Sequence, residues 1–202
     1  MKPRIRTLLV VSISLALPAS WANASGVDPA VVAVQALSTA LLKSMKTGSA
    51  VPMAARYREL EPVIERVFAL PLMTRLSVGP DWRNFEPGEQ EALITAFSRY
   101  TIANYAHNFR SFDGQTFQVE ENVVVRGEEK VVRSRIIPRD GTPANLLYRL
   151  LEVNGSWKIV DVYYDGVSQL ILHRTDFSGA IAAGGAPALI AHLKKDSDDL
   201  MN

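Results

Sequence analysis

The stretch WKIVDVYYDGVSQLILHRTDF, residues 157–177, gathers two carboxylates, a serine, a histidine and an arginine. Asp161 and Asp165 could act as an acid–base pair, since a buried or paired carboxylate can be tuned toward proton transfer. Gly166-Val167-Ser168-Gln169-Leu170 begins as a G-x-S-x-G nucleophile elbow does. Leu170, however, stands where a closing glycine must let strand and helix meet, so Ser168 reads as the N-cap of a helix. Asp161 alternates with Trp157, Ile159 and Tyr163 on a strand, a pattern that favours a structural partner. Arg174 interrupts the apolar stripe of Leu170, Phe177 and Ile181. A buried guanidinium needs a carboxylate, so an Arg174–Asp161 clamp is expected, with Asp165 the other topological neighbour. The open alternative is that Arg174 meets a headgroup or a partner. His107, His173 and His192 fall on three different predicted helices, and no metal-ligand spacing or Gly-rich phosphate loop occurs. The expectation is no catalytic residue, no metal and no cofactor.

The elements that must carry these residues begin after a leader. Lys2, Arg4 and Arg6 precede an apolar run from Leu8 to Leu17, Pro18 breaks it, and Ala22-Asn23-Ala24 is a small-x-small cleavage pattern. Residues 1–24 are therefore expected to be a secretory signal cut after Ala24, with residues 25–202 forming one exported, periplasmic domain. Three of the 22 basic residues leave with the signal and none of the 21 acids does, so the mature chain carries 19 basic and 21 acidic residues, a net of −2. That balance argues against nucleic-acid binding through bulk charge. With no cysteine there is neither a disulfide nor a lipidated N-terminal cysteine, and the fold must rest on its core.

Helical spacing dominates 28–112. Asp28-Pro29 opens a helix whose Val31, Val34, Leu37, Leu41, Leu42 and Met45 share a face until Gly48. Pro52 and Pro62 predict separate helices near 52–59 and 62–68, and Pro71–Leu76 a short turn of helix closing on Gly79-Pro80. Asn84 is the predicted start of the longest helix, with Leu93 or Ile94, Phe97, Thr101, Tyr105 and Phe109 as its stripe. From 115 to 164 the period becomes two, predicting strands Thr116–Glu120, Asn122–Arg126, Lys130–Pro138, Ala144–Val153 and Trp157–Tyr164. Their connections are short, and Asn154-Gly155 is a strong hairpin signal. Helices near 168–182 and 187–195 follow. The whole reads as α+β: N-terminal helices, a curved antiparallel sheet of about 4–5 strands, and C-terminal helices, cone-shaped and NTF2-like, enclosing an apolar cavity.

Both faces of the last two long strands are apolar, which a solvent-facing antiparallel sheet avoids. Leu146, Tyr148 and Leu150 point one way, and Leu147, Leu151 and Val153 the other. Either helices cover both faces or one face lines a cavity. Arg133 and Arg135 share a strand face, with Arg126, Arg139 and Arg149 near them, a set that could meet anionic lipid, an acidic partner or only solvent.

Three stretches resemble one family. Gly79…Trp82-Arg83, Glu89-Gln90-Glu91, Ala96-Phe97 and Tyr105-Ala106 lie in the first, FRSFDGQTFQV is the second, and the third is the 157–177 stretch. In this order they resemble the MlaC-type (toluene-tolerance) periplasmic lipid-binding proteins, from about Val31 to Leu193. Leu70-Pro71-Leu72-Met73 and Val78-Gly79-Pro80-Asp81-Trp82 are closest to the hopanoid-biosynthesis-associated branch, HpnM. His173 departs from the tyrosine common before the arginine.

The resemblance implies a soluble carrier of phospholipid or hopanoid tails, shuttling between an inner-membrane transporter complex and an outer-membrane lipoprotein or porin complex. Extracting a diacyl lipid exposes about 30 methylenes at about 0.8 kcal/mol each, roughly 24 kcal/mol that an apolar wall must match. The residues expected to form that wall are Phe97, Tyr105, Phe109, Leu146, Tyr148, Leu150, Val160, Val162, Tyr164, Val167 and Ile171. Two other readings compete: an enzyme using Asp161 or Asp165 on an apolar substrate, and a periplasmic scaffold with a filled core.

Overall fold

The computed structural model describes residues 26–48 and 50–202. The leader expected over residues 1–24 lies outside them. The first helix, α1 (Pro29–Lys46), starts where Asp28 accepts the Ala30 N–H at 2.8 Å with Pro29 in the first turn. The same carboxylate takes the Lys130 ammonium at 2.7 Å, and Lys130 lies 4.2 Å from the centre of the Trp157 ring. One N-cap thus also ties helix to sheet.

Helix α2 spans Met53–Val67 without a break at Pro62, so the two helices expected there are one. Pro62 removes one intrahelical bond, but Leu60, Ile64 and Val67 keep a continuous buried face on either side of it. Tertiary burial outweighs the local penalty, which is about 3 kcal/mol in a helix interior. Helix α3 (Leu70–Val78) is longer than the expected turn, and a 3-10 helix from Gly79 to Asn84 carries Trp82-Arg83. Helix α4 (Pro87–Asn108) is capped by Glu86 rather than Asn84, through a capping box with Glu89.

The sheet is antiparallel: β1 (Thr116–Val119), β2 (Val124–Arg126), β3 (Glu129–Ile137), β4 (Ala144–Val153), β5 (Ser156–Tyr164) and a two-residue β6 (Val167–Ser168). Strands β1 and β2 lie end to end along β3, which pairs with β4, then β5, then β6. The observed sheet has one short edge strand more than the meander expected from the sequence. Asn154 turns the β4–β5 hairpin at φ 52°, a left-handed conformation asparagine tolerates.

Strand β5 does not keep strict alternation. Arg149 faces Asp161 but Leu150 faces Ile159, so Val160 is an extra residue in a bulge. Ile159, Val160, Asp161 and Val162 are all buried as a result. Beside the bulge the Ile159 carbonyl accepts the Ala69 N–H at 2.9 Å, joining the α2–α3 corner to the sheet.

The last helix, α5 (Gln169–Met201), contains both predicted C-terminal helices, separated by non-helical backbone at Gly184 and Gly185. Gly185 adopts φ 64°, which explains a glycine there. The second half runs past the expected end at Lys195 to Met201. Helices α1, α4 and α5 pack with the sheet around one core that includes Leu37, Leu60, Phe97, Tyr148, Ile159 and Leu189. The architecture is α+β, helices on a twisted antiparallel sheet. Among the described residues, no helix is long and apolar enough to cross a membrane.

Candidate functional site

A cavity of about 490 Å³ opens between α4, the start of α5 and the β4–β5 hairpin. Its size lies within the roughly 300–1,000 Å³ of small-molecule sites. On α4, Phe97, Thr101, Tyr105 and Phe109 recur at helical spacing and present one wall, with Tyr100, Asn104 and Asn108 beside them. The facing wall is Leu146 and Tyr148 on β4 and Val162 and Tyr164 on β5. These strand residues are cross-strand neighbours, Leu146 opposite Tyr164 and Tyr148 opposite Val162, so one sheet face is brought to the helix. Leu41, Met73, Gln169, Leu170 and His173 complete the lining.

Of the eleven expected wall residues, Phe97, Tyr105, Phe109, Leu146, Tyr148, Val162 and Tyr164 line this cavity. The other four do not. Leu150 is buried in the core below it, and Val160 sits in the β5 bulge. Val167 is 50% and Ile171 59% exposed, because α5 begins at Gln169 in a phase that turns Leu170 inward instead. The residues the sequence reading passed over include Tyr100, Asn104 and Asn108. They repeat at the same i, i+3, i+4 spacing as the stripe, but a search for apolar positions skips polar ones.

Aromatic rings pack in two groups around the cavity. Tyr105 stacks on Phe109 at 5.7 Å and tilts against Phe68 at 5.5 Å. His173 stacks on Phe177 at 5.4 Å and meets Phe97 edge-on at 5.7 Å. Burial lowers the His173 pKa below its ordinary value, partly opposed by Asp176 and Asp161. Burial raises the Tyr105 and Tyr148 phenols, so both stay protonated. Among the described residues, no Asp, Glu, Lys or Arg stands in the lining.

The expected Arg174–Asp161 clamp does not exist. Arg174 is exposed and donates Nε at 3.2 Å and an Nη at 2.6 Å to the Leu76 carbonyl, near the C-terminal end of α3. There it meets the negative end of a helix dipole in place of a carboxylate. Asp161 has other work. It accepts the Ser168 hydroxyl at 2.7 Å and the Leu170 N–H at 3.2 Å, while Ser168 Oγ accepts the Ile171 N–H at 3.1 Å. Arg149 lies 3.6 Å away on the other side and also pairs with Glu129. Ser168 is thus a cap, and Asp161 buttresses it at the start of α5. Asp165 accepts the Asn145 N–H at 2.9 Å at the exposed hairpin edge. Neither Asp161 nor Asp165 lines the cavity. Among the described residues, no group of three or more His, Asp or Glu could hold a metal ion.

The family profile described as MlaC protein matches residues 35–195. No curated protein matches the chain. A solved structure, that of the phospholipid-binding protein from Ralstonia solanacearum in complex with a phospholipid, is similar in fold, with a TM-score of 0.74 at 20% identity. The match covers 86% of this chain and 99% of that one.

Proposed function

Starting from a chain that belongs to the MlaC protein family, we propose that its cavity binds lipid tails and that it ferries lipid through the periplasm between membrane complexes. The observation that carries this is the cavity wall: about 490 Å³ bounded mainly by aromatic and aliphatic side chains, with Thr101, Asn104, Asn108 and Gln169 as neutral polar members and, among the described residues, no Asp, Glu, Lys or Arg. A hydrocarbon chain loses nothing by desolvation there, whereas a charged headgroup would lose its hydration and so stays outside. The phospholipid in the Ralstonia structure supports the same ligand class. Phospholipid and hopanoid are the two candidate cargoes, and delivery requires a donor at the inner membrane and an acceptor at the outer one. Export by the leader over residues 1–24 belongs to the same reading.

The enzyme reading has lost its acids to structural work, and a scaffold with a filled core does not fit a cavity of this size. The test is mass spectrometry of lipid extracted from protein purified without detergent, together with transfer between vesicles. Bound lipid and transfer are expected, and a clean extract with no transfer rejects the proposal. Leu146→Arg places a cation against Tyr148 and Val162 and should abolish lipid retention. Val167→Arg, at an exposed site, should leave it intact.

A further inference from the structure

A second cavity, of about 420 Å³, has the opposite chemistry from the first and shares no lining residue with it. Met53 and Arg56 of α2, His107 near the end of α4 and Arg110 just beyond it form its wall, with Pro52 and Asn202. Two guanidinium groups and an imidazole thus line one space, and among the described residues no acidic side chain does. Hydrogen bonds hold the three together. Arg56 Nη1 donates to the Phe109 carbonyl at 3.5 Å, on the residue next to Arg110. Arg110 turns back and donates an Nη at 2.5 Å to His107 Nε2. That nitrogen therefore carries no proton, and His107 Nδ1–H donates to the Leu200 carbonyl at 3.2 Å. His107 is a neutral post that keeps the Arg110 fork at the cavity.

Two cations at one cavity repel unless an anion joins them. Among the described residues, neither Arg56 nor Arg110 forms an ion pair. Burial lowers the Arg56 pKa, Glu59 opposes this and the like charge of Arg110 adds to it. Glu59 is itself bonded to Lys43 at 2.7 Å. Arg56 Nη1 and Nη2 are committed to protein oxygens, but its Nε is buried without a partner. The buried Ser38, Ser77 and Ser134 hydroxyls are unpaired as well. The open Nε counts here because it belongs to a cation, at a cavity that holds a second one. We propose that Arg56 and Arg110, steadied by His107, form a binding site for a phosphate-type oxyanion. Its several oxygens can accept from both guanidinium groups at once, which one point charge could not. Two sources share that chemistry: free inorganic phosphate and the phosphate of a lipid headgroup.

The experiment measures both sources on the purified chain. Inorganic phosphate at about 10 mM should raise the Tm by about 3 degrees over sodium chloride of equal ionic strength, as expected for a Kd of about 1 mM. Dihexanoyl phosphatidic acid should bind about tenfold tighter than dihexanoylglycerol in calorimetry if the headgroup is the source. Arg56 variants threaten the fold, so Arg110→Met carries the test, since Arg110 is exposed. It should remove the phosphate shift or the lipid preference while leaving the Tm in chloride unchanged. Comparing the two proteins also subtracts the general salting effect of phosphate. An Arg110-dependent shift with inorganic phosphate assigns the free anion. An Arg110-dependent preference for phosphatidic acid without that shift assigns the headgroup. Neither effect in the wild-type chain, or effects that survive Arg110→Met unchanged, overturns the proposal. The site does not rest on the lipid reading: a purified chain without lipid rejects that reading and leaves a phosphate shift standing.

Discussion

Two buried polar regions lie along the C-terminal half of α4. At its C-terminal end Arg56, 1% exposed, fills a junction between α1 and α4 with no carboxylate in contact. Its guanidinium donates to the Ser44 carbonyl and hydroxyl, to Thr47 Oγ1 at 3.3 Å, to the Gly48 carbonyl at 2.5 Å and to the Phe109 carbonyl at 3.5 Å. These acceptors lie at the C-terminal ends of two helices, where carbonyls are left over and the dipoles are negative. One cation therefore satisfies both ends. Two turns back, on the cavity wall, Thr101 Oγ1 is buried without a partner. The guanidinium is bonded several times over, whereas the threonine hydroxyl is left open, as are the buried Ser38, Ser77 and Ser134 hydroxyls away from the cavity lining.

The sharpest way to break the comparison is Arg56→Ala. It strands several buried carbonyls and leaves a cavity, so a loss of about 3–5 kcal/mol in urea unfolding is expected, in the range for removing one side of a buried charged network. A change below about 1 kcal/mol would show that the junction does not depend on the guanidinium. Arg174→Ala should cost far less, under about 1 kcal/mol, because its bonds to the Leu76 carbonyl are exposed and water can replace them. A loss as large as that of Arg56→Ala would erase the distinction between buried and exposed helix-end arginines.

The smallest effect concerns the cavity side. Burial depresses the His173 pKa, so the unfolded chain binds a proton more readily than the folded one near pH 6.5. Its contribution is fully present above about pH 6.5 and is lost as pH falls toward the depressed folded value. Stability should therefore decline as pH falls below about 6.5, and His173→Phe should flatten that part of the profile. An unchanged slope in the variant would mean that other groups carry it.

The period change near Gly114, the caps at Asp28 and Ser168, the Asn154-Gly155 hairpin and the break at Gly184-Gly185 were all legible, because each depends on residues adjacent in the chain. So was the α4 stripe from Phe97 to Phe109, since helical spacing brings those side chains to one face without help from elsewhere. The unbroken α2 was not, because what holds it through Pro62 is burial against other elements. The bulge at Val160 was equally hidden. It is a one-residue slip between strands, and it decides that Val160 belongs to the core and not to the cavity.

Charge pairing shows the boundary most plainly. The sequence by itself showed that Arg174 and Asp161 each need a partner, and left open whether Arg174 meets a carboxylate, a headgroup or another protein and whether Asp161 does acid–base work. Only the tertiary structure decided which partner each one has. Arg174 found a helix end, Asp161 found Ser168 and the start of α5, and Arg56, a charge the sequence reading did not single out, became the buried one. Partner choice depends on distances between segments far apart in the chain, and those distances exist only once the core has closed.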